Sequence, residues 1–204
     1  MTTSVTPTVR SLADIPTQPD RNRMRAETGA RLRAAMTERG VGALILLGNN
    51  AVTYATGTSW PLGDAGLSHV ERPVALVRAD DPAPHLFLPF REGAAEETEL
   101  PADHLHGPVY LEFDEGVEHF AAIVGDLVPR GTTIAVDELT GAMRRTAGRL
   151  FPDGAPGDAA VIVGAAKTVK TADEIACIRK AAQITDAAMI DVQRALAPGI
   201  RQID

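Results

Sequence analysis

The chain has 204 residues, which at roughly 150 residues per domain gives one full domain and about fifty residues more. Twenty basic against 27 acidic side chains leave a formal charge of -7, and a field of that sign repels nucleic-acid phosphates and anionic lipid, so neither is an expected partner. The single cysteine, Cys177, excludes an internal disulfide; no apolar run reaches the roughly 18 residues of a membrane span, and the opening residues lack the apolar segment of a signal peptide, so a cytoplasmic location is expected.

Residues 1–19 mix Thr, Ser and Pro with few large apolar groups and read as a flexible tail. Asp20 is placed to cap a helix in which Met24, Leu32, Ala35 and Met36 recur near helical spacing and Gly40 closes the segment. The run VGALILLG at 41–48 has the continuous apolar character of a strand covered on both faces. Further strands are predicted at 73–78, 85–88, 109–111 and 133–136, and helices at 93–100, 116–128 and 139–150. The alternation predicts an α/β fold, a mixed, mostly parallel sheet flanked by helices over residues 20–158.

The last fifty residues differ. The run AAVIVGAAKTV at 159–169 reads as one more strand, and residues 159–170 as a junction containing Lys167 and Lys170. Thr171 and Glu174 then form a capping box that starts a helix. Ile175, Ile178, Ala182, Thr185, Met189, Val192 and Leu196 step by 3 and 4, a largely apolar stripe along about six turns. Such a stripe needs a layer to cover it, and two arrangements remain open: a second domain that begins here, or docking back onto the first.

Three other patterns carry less. VIVGAAKT at 161–168 has Ala166 and Val161 where a phosphate loop needs glycines. Ser59, Asp64 and His69 occur in the order of a hydrolase triad, without the GxSxG elbow that would expose the serine. His104 and His106, with Glu112, Asp114, Glu115 and His119 downstream, have ligand chemistry suited to a divalent ion, but surface histidines beside an acidic turn account for them as well.

Four stretches together resemble the creatinase, prolidase and aminopeptidase P family. RLRAAMTERGVGALILLG at 31–48 is similar to the family's first helix and strand. AVTYATG at 51–57 resembles its Asn-x-x-Tyr-x-Thr-Gly turn, with Tyr54, Thr56 and Gly57 in place and Ala51 where the family has Asn. TIAVDE at 133–138, containing Asp137, resembles the strand before its last N-terminal helix. KTADEIACIRKAAQITDAAM at 170–189, with Lys170 and Glu174, resembles the junction into its catalytic domain.

The resemblance implies a ribonuclease H-like N-terminal domain followed, over 171–204, by the first helix of a truncated α+β pita-bread domain. It implies a full-length parent with two divalent metal ions (Mn, Co or Zn) held by two Asp, one His and two Glu, acting on an Xaa-Pro peptide substrate. All five ligands would lie in the missing C-terminal catalytic domain, so the resemblance assigns no catalytic residue and no metal to this chain, which alone is expected to be inactive. It implies a homo-oligomer, a dimer through the N-terminal domain, and substrate gating by the loop at 58–72, where Trp60, His69 and Arg72 are the candidate rim residues. The same domain also occurs in creatinase-like, ectoine-hydrolase-like and dimethylsulfoniopropionate-lyase-like enzymes, and a standalone interaction domain is a further reading.

Overall fold

The structure is a computed structural model that describes residues 19–58, 72–89, 98–196 and 199. The chain divides into two units, residues 25–169 and the two chain ends, residues 1–24 with 170–204. Residues 1–18 of the expected flexible tail lie outside the described residues, as do residues 93–97 of the helix predicted at 93–100.

In the larger unit everything is built around β1 (Ala43–Leu46), whose four side chains are all buried. β1 pairs antiparallel with β2 (Val74–Arg78), which pairs antiparallel with β3 (His85–Phe87); β3 pairs parallel with β4 (Leu105–His106) at one edge. On its other side β1 pairs parallel with β5 (Ile134–Val136), which pairs parallel with β6 (Gly157–Asp158). The strand order is β4-β3-β2-β1-β5-β6, a mixed sheet with three parallel and two antiparallel pairings.

Because strand side chains alternate, β1 sends Leu44 and Leu46 to one face and Ala43 and Ile45 to the other, and each pair belongs to its own core. The first core is covered by α1 (Arg21–Glu38), α2 (Asn49–Thr56) and α6 (Ala159–Lys167), which contribute Leu32 and Met36, Val52 and Tyr54, and Ile162 and Val163. The second is covered by α3 (Asp114–Leu127), α4 (Gly141–Arg145) and α5 (Ala147–Leu150), through Val117, Phe120, Val124, Met143 and Leu150. Phe120 is fully buried with its ring edge-on to Phe87 of β3 at 5.1 Å. The predicted α/β layering is thus present, with helices on both faces.

Three local expectations are corrected. Residues 159–167 form helix α6 and not a strand: Asp158 accepts from the Ala160 and Val161 amides and caps the first turn. Its buried positions, Ala159, Ile162, Val163 and Ala166, step by 3, 1 and 3, a helical stripe that the β-branched run concealed. The strand predicted at 109–111 is absent; Val109 and Leu111 are buried in irregular backbone, and the edge strand falls at Leu105–His106. The AVTYATG segment is mainly helix α2, held between Gly48 at its start and Gly57 at its end. Gly57 takes φ 71, a left-handed conformation that costs a residue with a Cβ about 1–2 kcal/mol.

In the smaller unit, Thr171 and Glu174 complete the capping box of α7 (Ala172–Ala195): the Glu174 amide donates to Thr171 Oγ1 (3.1 Å) and the Thr171 amide to Glu174 Oε2 (2.8 Å). The fork of Arg23 grips the carboxylate of Asp173, Nε to Oδ2 at 2.7 Å and Nη2 to Oδ1 at 2.8 Å, and the Asp20 amide adds a third bond at 3.0 Å. The Asp173 side chain is only 2% exposed, and Arg23 first, then the Asp20 amide, hold its carboxyl below the usual 3.8. A depressed folded pKa adds stability above pH 3.8 that disappears as pH falls through the lower value. The Asp173→Asn chain is therefore expected to lose thermal stability less steeply than the parent as the pH falls below 3.8, read from melting midpoints by circular dichroism.

Candidate functional site

The topology gathers polar groups at one end of the sheet. β1 and β5 run parallel and finish side by side, so Leu47, Gly48, Asp137 and Glu138 emerge together. β2 runs the opposite way and begins at this same end, which brings Arg72, two residues before it, alongside them. In open α/β sheets the carboxyl ends of the strands are where ligands are received.

Asp137 fastens this end. Its Oδ1 accepts the Leu47 amide at 2.8 Å and Oδ2 the Gly48 amide at 3.0 Å, placing a carboxylate at the start of α2, where the helix dipole favours negative charge. A Cβ at Gly48 would stand 3.0 Å from Asp137 Oδ2, so the contact is tight. Downstream on α2, the Tyr54 hydroxyl donates to the Ala166 carbonyl at 3.0 Å, with Lys167 Nζ 5.5 Å from its ring centroid. The Thr56 hydroxyl returns to the Val52 carbonyl at 2.8 Å. These residues tie α2 to β5 and α6, positioning roles within the domain.

Arg72 is nearly enclosed, with 11% of its side chain exposed. Its Nη1 lies 3.0 Å from both carboxylate oxygens of Glu138, and Nη2 donates to Glu112 Oε1 at 3.1 Å. The guanidinium thus clamps β5 and the segment before α3 to the start of β2. Trp60 and His69 lie outside the described residues. Lys170 precedes the capping box of which Glu174 is part. Cys177 lies partly buried on α7.

The acidic and histidine residues downstream of His104 separate. Glu112 goes to Arg72, Asp114 pairs with Arg145 at 2.7 Å, and His119 is exposed on α3. His104 and His106 instead meet His85, which sequence proximity did not indicate. His85 Nδ1 is 3.0 Å from His106 Nε2, and its ring stacks on His104 with centroids 4.0 Å apart. Burial first, then the His104 and His106 rings, lower the His85 pKa to about 4. The β3–β4 register brings them together: Leu86 pairs with Leu105 and Phe87 with His106, so the 3-10 turn that ends at His104 lies beside His85.

The dinuclear centre implied by the family resemblance needs four carboxylates and one histidine. Among the described residues the group close enough to share an ion is Asp81, His85 and His104, with one carboxylate and two imidazoles. That set does not fit, and no reaction step is derived through it.

The family model for the Creatinase/Prolidase N-terminal domain matches residues 30–163. Among solved structures, an Xaa-Pro dipeptidase from Bacillus anthracis is similar over 87% of this chain, with 20% identity and a TM-score of 0.61. Prolidases from Pyrococcus horikoshii OT3 (17% identity, TM-score 0.60, 86% of this chain) and Pyrococcus furiosus (22%, 0.57, 84%) share the fold. The chain spans 45%, 45% and 48% of those three proteins, less than half of each. A comparison with curated protein sequences finds no match.

Hydrogen bonds to a charged acceptor contribute about 1.5–3 kcal/mol each. Asp137→Ala, which strips both amides at the start of α2 of their acceptor, is expected to lower the unfolding free energy by at least about 1.5 kcal/mol in urea titration. Asp137→Asn should recover only part of it, because its NH2 would face one of the two donors.

Proposed function

Because the chain belongs to the creatinase/prolidase N-terminal domain family, we propose that it serves as the N-terminal domain of a cytoplasmic Xaa-Pro peptidase-like metallohydrolase. In that reading it builds the dimer and gates the substrate, while a following catalytic domain holds the two metal ions and cleaves the peptide. The dinuclear ligands belong to that domain, and this chain by itself turns over no substrate.

The observation that carries the reading is the face of α7. Ile178 is 55% exposed, Met189 63% and Val192 53%, all on the stripe that also contains Ile175 and Leu196. Apolar side chains recurring at this spacing along a helix are a contact surface, and burying them would contribute about 25 cal/mol per Å² of apolar area removed from water. The stripe directly follows the domain that the family model matches, where the catalytic layer would pack. For gating, the support is Arg72, the described member of the rim set Trp60, His69 and Arg72, which Glu112 and Glu138 hold at the start of β2.

In the purified chain, α7 amides from 175 to 192 should exchange rapidly, or light scattering should show a dimer that Ile178→Glu with Met189→Glu dissociates. Full protection of α7 in a monomer would overturn the docking role. Incubated with Mn, Co or Zn and an Xaa-Pro dipeptide, the chain should release no proline; steady release would mean that the catalytic ligands are in this chain after all.

A further inference from the structure

At the sheet edge farthest from β6, three elements deliver ligand-bearing side chains to one point. The turn between β2 and β3 brings Asp81, β3 brings His85, and the 3-10 turn at Ala102–His104 leading into β4 brings His104. One ligand atom from each lies within 4.8 Å of the others. His85 Nε2 faces Asp81 Oδ2 at 3.8 Å, while Asp81 Oδ1 is occupied by the Ala83 amide at 3.0 Å. A tetrahedral ion with bonds of about 2.0–2.1 Å holds neighbouring ligand atoms about 3.4 Å apart, and because His104 stacks face to face on His85 with centroids 4.0 Å apart, closing the set requires the His104 ring to turn out of that stack so that its nitrogen lone pair meets the ion.

The surroundings have the character of a supported site. His85 is 5% exposed, and its Nδ1 is engaged with His106 Nε2 at 3.0 Å. His106 in turn stacks on Phe87 of the core, centroids 4.4 Å apart. Such an outer partner orients a ligating imidazole and fixes which nitrogen carries the proton, leaving the other to the ion. His104 Nδ1 is buried with no hydrogen-bond partner, an unmet polar atom at the cluster itself.

We propose that Asp81, His85 and His104 bind a single divalent ion of the imidazole-preferring, zinc-like class, clipping the β2–β3 turn to the edge strand β4. Two imidazole nitrogens and one carboxylate oxygen suit zinc, cobalt or nickel better than magnesium or calcium, which take oxygen ligands. Three protein ligands leave a fourth position for water. The proposal does not depend on the peptidase reading.

Isothermal titration of the purified chain with zinc chloride tests it. One ion per chain is expected, with a rise in the thermal midpoint and, with cobalt, the intense visible absorption of a four-coordinate ion. Asp81→Asn and His104→Ala should each weaken zinc binding at least about tenfold, as should His106→Gln through loss of the orienting bond. His119→Ala, an exposed histidine on α3, should leave binding unchanged. Circular dichroism confirms that each variant is folded; Asp81→Asn is close to isosteric and provides the comparison if His104→Ala is not. Absence of saturable zinc uptake by the folded parent chain, or uptake unaltered in folded Asp81→Asn, would overturn the proposal.

Discussion

The constraint on which this domain depends is that β1 must be buried on both faces. Ala43, Leu44, Ile45 and Leu46 have no exposed side, so a helical layer is needed above and below them. α1, α2 and α6 form one layer and α3 to α5 the other, each meeting alternate β1 residues. Pairing obeys the same demand: β2 saturates one edge of β1 in antiparallel register and β5 the other in parallel register. The polar end of the sheet follows as a geometrical result, since two strands end and one begins there, and Asp137 and Arg72 bind the emerging backbone and side chains together.

Much of this was readable from residue order. A continuous apolar run flanked by glycines identified β1, Asp20 and Gly40 bracketed α1, and the Thr171–Glu174 pair located the start of α7. Gly57, expected to end its segment, does so with a positive φ. Where the reading failed, one signal concealed another. In 159–167 the β-branched valines and isoleucine suggested a strand, while the cap at Asp158 and a stripe of four buried positions make it a helix. The edge strand β4 is two residues long, too short for any periodicity to announce it, so Val109 and Leu111, buried without pairing, took its place in the prediction.

Side-chain constellations were less legible than elements, for a reason that particular residues make clear. Asp137 was singled out by resemblance, but its two amide partners depend on the parallel β1–β5 register, which no local pattern encodes. Arg72 was expected at a rim, whereas its partners Glu112 and Glu138 stand 40 and 66 positions away. His85 meets His104 and His106 only because β3 and β4 pair in one specific alignment. Residue types could nominate these groups; only the sheet could bring them together.

The grip of Arg23 on Asp173 joins groups 150 positions apart, and it bears on where this protein can be cut. The family match starts at residue 30, and a shortened version begun there would lack both Arg23 and the Asp20 amide, and with them all three hydrogen bonds to the Asp173 carboxylate in the first turn of α7. Expression boundaries that respect the helix cap at Asp20 would preserve a joint that homology-guided trimming removes.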